Sequence, residues 1–321
     1  MSSTTIVTGA AGFAGGHLLD LLAADAATGD TIVAWRRPRA GSGSAPGRTD
    51  PLGAGAIRWE DVDLLDRDAV RAAVARTRPS MVYHCAGEAH VGQAWNRTET
   101  TFATNVRGTH YLLDALSRVD AESRVLIPSS ALVYAPADRP LREDDARVPD
   151  TPYGLSKLAQ EMLAEHAGPR VTVTIARAFN HIGPRQDPMF AASGFARRIA
   201  DIERGRWEPT ITVGNLDARR DLTDVRDTVR AYQLILTRGA QGDVFNVCSG
   251  VAFVIRDLLD RLIGRARVPV RIQVDPARYR PNDAPLLVGD PGRIRDRLGW
   301  ATRISMDRTV DDLLEYWRDQ A

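Results

Sequence analysis

Residues 8–15 read TGAAGFAG, directly after the β-branched run TTIV at residues 4–7 and running into a helical pattern, AGGHLLDLLAADA, at residues 14–26. Gly9, Gly12 and Gly15 take the spacing G-x-x-G-x-x-G. Glycines let the backbone turn and come close to a pyrophosphate, whose charge the exposed amides and positive end of the following helix stabilise. Three glycines alone describe a tight turn. The order strand, glycine loop, helix is the context that a dinucleotide site requires, and it sets the expectation for the rest of the chain.

If the first βα turn holds the pyrophosphate, the end of the second strand faces the adenosine ribose. That strand, TIVAW at residues 31–35, runs straight into Arg36 and Arg37. An acid there would accept from the 2′-hydroxyl of NAD, whereas a guanidinium pairs bidentately with a 2′-phosphate. NADP(H) is therefore expected over NAD(H), with a solvated arginine pair as the plain alternative. Asp63 and Leu64, after the third strand, are placed to touch the adenine, although an aspartate there also suits a helix cap.

Farther out, short β-branched runs alternate with amphipathic stretches: AIRWEDVD, then DRDAVRAAVART, then SMVYHCAG. A helix over about residues 98–119, the strand SRVLIPSS, a helix from Pro152 and the strand VTVTIAR continue the series. This is the pattern of an α/β fold, a Rossmann doubly wound parallel sheet covered by helices. Residues 1–178 are read as the dinucleotide-binding domain, with returning segments from about 214–250. Residues 179–321 are read mainly as a smaller C-terminal substrate-binding lobe.

Composition narrows the function classes. The 321 residues carry 42 basic and 41 acidic side chains, a formal charge of +1, so nothing draws the chain to nucleic acid or to an anionic membrane surface. The start lacks the features of a signal peptide, and no stretch is apolar for long enough to span a bilayer, so a cytoplasmic protein is expected. Cys85 and Cys248 sit in apolar runs and are read as buried free thiols, with no metal site.

TPYGLSKLAQE, residues 151–161, opens a helix: Thr151 suits the cap, Pro152 the first helical position, and Tyr153 and Lys157 fall four residues apart on one face. A ketone that accepts hydride becomes an alkoxide and needs a proton. A tyrosine whose pKa is lowered by a nearby ammonium can supply it. By itself, such a pair is commonly a snorkelling surface pair.

With the glycine loop, these residues resemble the Tyr-x-x-x-Lys motif of the extended short-chain dehydrogenase/reductase superfamily, in its epimerase/dehydratase branch acting on nucleotide sugars. The resemblance covers nearly the whole chain. It implies a catalytic set of Ser130 (in PSSALVY), Tyr153 and Lys157, and a cofactor set that adds Phe13, Ala14 and Ala86 to the glycines, Arg36, Arg37, Asp63, Leu64, Tyr153 and Lys157. Asn105, in TNVRGT, matches a helix-borne asparagine near the active site and is implied to bind substrate. RAFNHIGPRQ (177–186), GNLDARRDLTDVRD (214–227) and RYRPND (278–283) resemble the substrate-lobe motifs of GDP-sugar enzymes. They imply that Asn180 and Asn215 contact the sugar diphosphate and that Arg220 and Arg280 bind its phosphates, a task suited to guanidinium.

The same resemblance separates the reactions. The branch's 4,6-dehydratases place an acid two residues after the catalytic Ser or Thr, and here that position is Leu132, which has no proton to exchange. Reduction needs only a hydride donor with Ser, Tyr and Lys. The implied activity is NADPH-dependent reduction of the 4-keto group of a GDP-4-keto-6-deoxy-hexose. A 4-epimerase using retained NAD, a GDP-mannose 4,6-dehydratase, and a cofactor-sensing regulator on the same fold are the alternatives. Two positions depart from the pattern: Ala89 replaces a serine, and Arg185 a glycine of G-P-G-Q. A homodimer through the helices at about 98–119 and 152–166 is expected by analogy.

Overall fold

The computed structural model of the protein describes residues 3–27, 29–38, 57–278 and 284–320. Contacts divide the chain into two compact units. One comprises Met1–Ala135, Glu143–Arg177 and Val229–Phe245; the other comprises Pro136–Arg142, Ala178–Thr228 and Asn246–Ala321.

In chain order the elements are β1 (Thr4–Thr8), α1 (Phe13–Asp25), β2 (Thr31–Arg36), β3 (Ile57–Asp61), α2 (Arg67–Thr77), β4 (Met81–His84), α3 (Val91–Ala94), α4 (Thr98–Phe102) and α5 (Gly108–Arg118). There follow β5 (Ser123–Ser130), α6 (Pro152–Ala164), β6 (Val171–Ala178), β7 (Asn180–Ile182), α7 (Ala191–Glu203), β8 (Thr210–Val213), β9 (Arg219–Asp224) and α8 (Val225–Arg238). The chain closes with β10 (Val244–Val247), β11 (Ala252–Val254), α9 (Ile255–Ile263), β12 (Arg271–Val274), β13 (Leu286–Leu287), α10 (Gly292–Leu298) and α11 (Met306–Gln320).

The central sheet has seven strands in the order β10-β6-β5-β4-β1-β2-β3. β1 pairs in parallel with both β2 and β4, so the chain reverses its direction of growth there, at the kind of crevice where doubly wound sheets bind ligands. The expected Rossmann fold is what the chain adopts. Strand residues with long β-branched runs are buried on both faces, as a helix-covered parallel sheet demands. Ile6, Val33 and Val125 from the strands meet Val70 and Val74 of α2 and Leu112 of α5 in one core, each worth roughly 1.5–3 kcal/mol when fully buried.

The helix expected over 98–119 is interrupted. A π-helical turn at Ala103–Arg107 separates α4 from α5, and the extra residue turns Asn105 inward, where it is wholly buried. α6 starts as its sequence reads: Thr151 accepts from the Gly154 amide at 3.0 Å and Pro152 opens the first turn. Gly154 lets this helix lie against the turn after β5, because a Cβ there would meet the Leu132 carbonyl oxygen at 2.3 Å.

The second unit holds a small sheet in which β9 pairs with β11, β13 and β7, and a two-stranded sheet of β8 and β12. Helices α7, α9 and α11 close a separate core around Ile199, Leu259 and Leu313.

Candidate functional site

The glycine loop forms as a close-approach device. Gly9 has φ +63°, and a Cβ on it would meet the Ala86 backbone at 2.6 Å; a Cβ on Gly15 would meet the Gly9 carbonyl oxygen at 2.3 Å. Only glycine fits both positions. α1 begins at Phe13 and Ala14 with Gly12 as its cap, no side chain capping it and no acidic residue in its first turn. Its unshielded positive end, beside a backbone cradle, suits an anion such as a pyrophosphate.

A neutral hydrogen-bond network fixes this loop to the helices behind it. The Ala86 amide donates to Thr8 Oγ1 at 3.1 Å, and that hydroxyl meets His84 Nδ1 at 2.9 Å. His84 Nε2 lies 2.8 Å from Thr109 Oγ1, whose own proton goes to the Asn105 carbonyl at 2.6 Å. Thr109 must therefore accept from Nε2, which leaves Nδ1 as the acceptor for Thr8. Burial pushes the His84 pKa down to about 3, so the ring stays neutral and its tautomer is set by its neighbours.

At the end of β2 the expected arginines differ from each other. Arg36 is half-buried, its Nε 2.6 Å from Asp61 Oδ1 and its guanidinium over the Trp59 ring, while Arg37 is exposed. Asp63 accepts from the Leu65 amide at 2.9 Å, a local turn; the cap of α2 is Asp66 instead. Leu64 is half-buried and packs beside Gly108.

The expected catalytic residues come together. Ser130 is the last residue of β5. Its side chain hydrogen-bonds Tyr153, and its Oγ also accepts from the Leu132 amide at 3.2 Å. Lys157 donates to the Pro128 carbonyl at 2.9 Å, and its Nζ stands 5.9 Å from the centre of the Tyr153 ring.

The expectation that the ammonium lowers the tyrosine pKa is not met. Burial pushes Tyr153 up to about 12, only partly offset by the Ser130 hydrogen bond. Burial likewise pushes Lys157 down to about 8, against the opposing pull of Cys85 and Glu161. Desolvation outweighs the Ser130 hydrogen bond at Tyr153 and the neighbouring charges at Lys157, which leaves the phenol as a proton holder at neutral pH. Leu132, in the turn after Ser130, brings no ionisable group.

Asn105 was expected to face a substrate. Its side chain is occupied otherwise: Oδ1 accepts from the Glu88 amide at 2.8 Å, and Nδ2 donates to Ser156 Oγ at 2.9 Å and to the Glu88 carbonyl at 3.3 Å. It ties the segment after β4 to α6. Sequence reading also missed the pair beneath the site. Glu161, one turn beyond Lys157, accepts from Arg177 Nε at 2.9 Å and Nη2 at 2.8 Å and from Ser129 Oγ at 2.5 Å. Arg177 continues to the Tyr134 hydroxyl and the Glu143 carbonyl, both at 2.8 Å. The i, i+4 spacing of Lys157 and Glu161 was the available signal.

In the second unit, Asn180 is exposed at the start of β7 and pairs in register with Leu222 of β9, two residues from the half-buried Arg220. Asn215 accepts from the Asp217 amide at 2.9 Å within its own turn. His181 is half-buried with Nδ1 3.1 Å from the Phe179 carbonyl, and burial lowers its pKa. Arg280 lies outside the described residues. Arg185, in place of glycine, keeps the left-handed conformation that glycine favours, with φ +71°. Among the described residues no helix is long and apolar enough to cross a membrane, and no group of three or more His, Cys, Asp or Glu could hold a metal ion. Cys85 and Cys248 are both free thiols; Cys248 is buried and Cys85 half-buried.

The sequence profile of the GDP-mannose 4,6 dehydratase family matches residues 6–313. GDP-6-deoxy-D-mannose reductase of Pseudomonas aeruginosa is 36% identical over 265 residues, covering 80% of this chain and 86% of that protein. A solved structure of RMD from Pseudomonas aeruginosa complexed with NADPH superposes with a TM-score of 0.83 at 31% identity, with all of both chains covered. A putative epimerase from Burkholderia cenocepacia superposes with a TM-score of 0.85 at 32% identity, covering 99% of each.

Proposed function

The chain belongs to the family of GDP-mannose 4,6 dehydratases, and within it we propose that the protein is an NADP(H)-using reductase of the 4-keto group of a GDP-4-keto-6-deoxy-hexose. One observation carries the choice of reaction: Ser130, Tyr153 and Lys157 stand together, while the position two residues after Ser130 is Leu132. Without an acid or base there, the C5 proton of GDP-mannose has no partner, and loss of such a group typically lowers rate by about 10² to 10⁴. The likeness to the reductase of Pseudomonas aeruginosa supports the same reading.

The bound nicotinamide would supply hydride. The chain's own residues handle the oxygen. Tyr153, protonated at neutral pH, donates to the developing sugar O4; Ser130, bonded to Tyr153, holds that oxygen; Lys157, anchored on the Pro128 carbonyl, supplies positive charge beside the Tyr153 ring. Gly9, Gly12, Gly15 and the start of α1 receive the pyrophosphate, Ala86 borders it, and Arg36 and Arg37 favour the 2′-phosphate of NADP(H), with NAD(H) as the lesser cofactor. Asn180, Asn215, Arg220 and Arg280 serve the nucleotide sugar in this reading, with a guanine nucleotide favoured. Leu155 and Met162, half-exposed seven residues apart on α6, offer one apolar face for a homodimer. Free thiols go with a reducing, cytoplasmic setting.

The test is stoichiometric. Offered GDP-4-keto-6-deoxy-mannose and NADPH, the protein should lose one reduced nicotinamide per sugar reduced, and offered GDP-mannose it should form no keto sugar. Keto sugar from GDP-mannose would restore dehydration. Interconversion of a nucleotide sugar without net cofactor loss would make it an epimerase.

A further inference from the structure

We propose that Asp61 is a specificity-determining residue for the cofactor: by pairing with Arg36 it weakens the preference for a 2′-phosphate and keeps the site open to a free 2′-hydroxyl. The inference rests on reading the end of β2 as the ribose site, and it concerns a residue that this reading does not use.

The parallel register of β2 and β3 sets Arg36 opposite Asp61, 25 residues along the chain. The ion pair takes only the Nε edge of the guanidinium, at 2.6 Å from Oδ1. Trp59, on the same face of β3 as Asp61, lies with its ring centre 5.7 Å from the guanidinium carbon. Arg36 is therefore held in place with its terminal nitrogens making no other hydrogen bond among the described residues, which leaves a fork able to meet a phosphate.

Asp61 also has a cost for that phosphate. Its carboxylate is 42% exposed, and it cancels the charge that Arg36 brings, so the cation left uncompensated at this strand end among the described residues is Arg37. A 2′-phosphate bound to Arg36 adds up to two negative charges beside a carboxylate one guanidinium away, and like charges at such range disfavour each other. A 2′-hydroxyl meets no such penalty. Asp61 Oδ2 makes no hydrogen bond among the described residues and is free to accept from it, the bond that an acid provides at the end of the second strand in NAD sites. The carboxylate thus acts against one ligand while assisting the other, the usual logic of discrimination between close analogues.

Asp61→Asn separates charge from position, because the amide oxygen still accepts from Arg36 Nε. Dissociation constants for NADPH and NADH are measured by nicotinamide fluorescence on the enzyme without sugar, alongside Arg36→Ala/Arg37→Ala. The ratio of NADPH to NADH affinity should rise about fivefold in Asp61→Asn, ~1 kcal/mol, and the gain should shrink at high salt as the repulsion is screened. In the double arginine variant the ratio should fall. An unchanged or lower ratio in Asp61→Asn, with the arginine variant still losing NADPH, overturns the role of Asp61 and leaves the cofactor reading intact. If the arginine variant also keeps its ratio, the ribose site has been misplaced and both fall.

Discussion

Replacing Lys157 by methionine should make the ligand-free protein more stable at neutral pH while removing its activity. The Lys157 side chain is only slightly exposed, at 7%, and burial brings its pKa from the ordinary 10.5 to about 8. That drop corresponds to roughly 3 kcal/mol by which the fold disfavours the ammonium relative to the neutral amine. Below pH 8 both folded and unfolded chains carry the proton, so the full penalty is present. Between about 8 and 10.5 the folded protein has released the proton and the unfolded chain still binds it, so wild-type stability rises with pH across that window. Methionine fills similar space without charge, but it leaves the Pro128 carbonyl without its 2.9 Å donor, a loss of about 1 to 2 kcal/mol. The variant should then exceed wild type by about 1 to 2 kcal/mol at pH 7 and lose that advantage by pH 10. Urea unfolding of both proteins at several pH values measures the gap directly. A gap that does not change from pH 7 to 10 would refute the assignment of Lys157 as a cation held against desolvation.

The same buried lysine marks how far sequence reading reached. The glycine loop and the start of α6 were legible because they depend on local rules: the spacing of Gly9, Gly12 and Gly15 and the cap Thr151 followed by Pro152. The π turn at Ala103–Arg107 was not, since helical periodicity runs through it without a proline or glycine break before Gly108. Nor was the balance at Tyr153, where proximity to Lys157 argued for a lowered pKa and burial reversed the sign. The partners Arg36 and Asp61, or Glu161 and Arg177, stand 25 and 16 residues apart, and strand register or helix packing alone brings them together. Asn105 shows the limit of position: a helix-borne asparagine near a site reads as a ligand contact until its three hydrogen bonds are seen to be internal.

Tyr153→Phe should keep nucleotide-sugar and cofactor affinity while kcat falls by about 10² to 10⁴, since only the proton donor is removed; near-normal turnover would assign the proton to another group. If the protein is the proposed homodimer, Leu155→Glu with Met162→Glu, both on the exposed face of α6, should halve its mass in light scattering after size exclusion; a monomeric unsubstituted protein would overturn the dimer, and an unchanged dimer mass in the variant would overturn this face as its interface. Glu161→Gln tests the support beneath the catalytic set. It leaves the Arg177 guanidinium, 2% exposed, without its counter-charge, and breaking such a pair costs about 3 to 5 kcal/mol. Pairing the change with Arg177→Met removes the stranded charge, so the double variant should regain much of the loss in urea unfolding even though the guanidinium's bonds to Tyr134 and Glu143 are gone. A single variant that loses less than ~1 kcal/mol, or a double variant no better than the single, would mean that the pair does not carry its charges buried and that Ser129 and Ser130 are held by the strand alone.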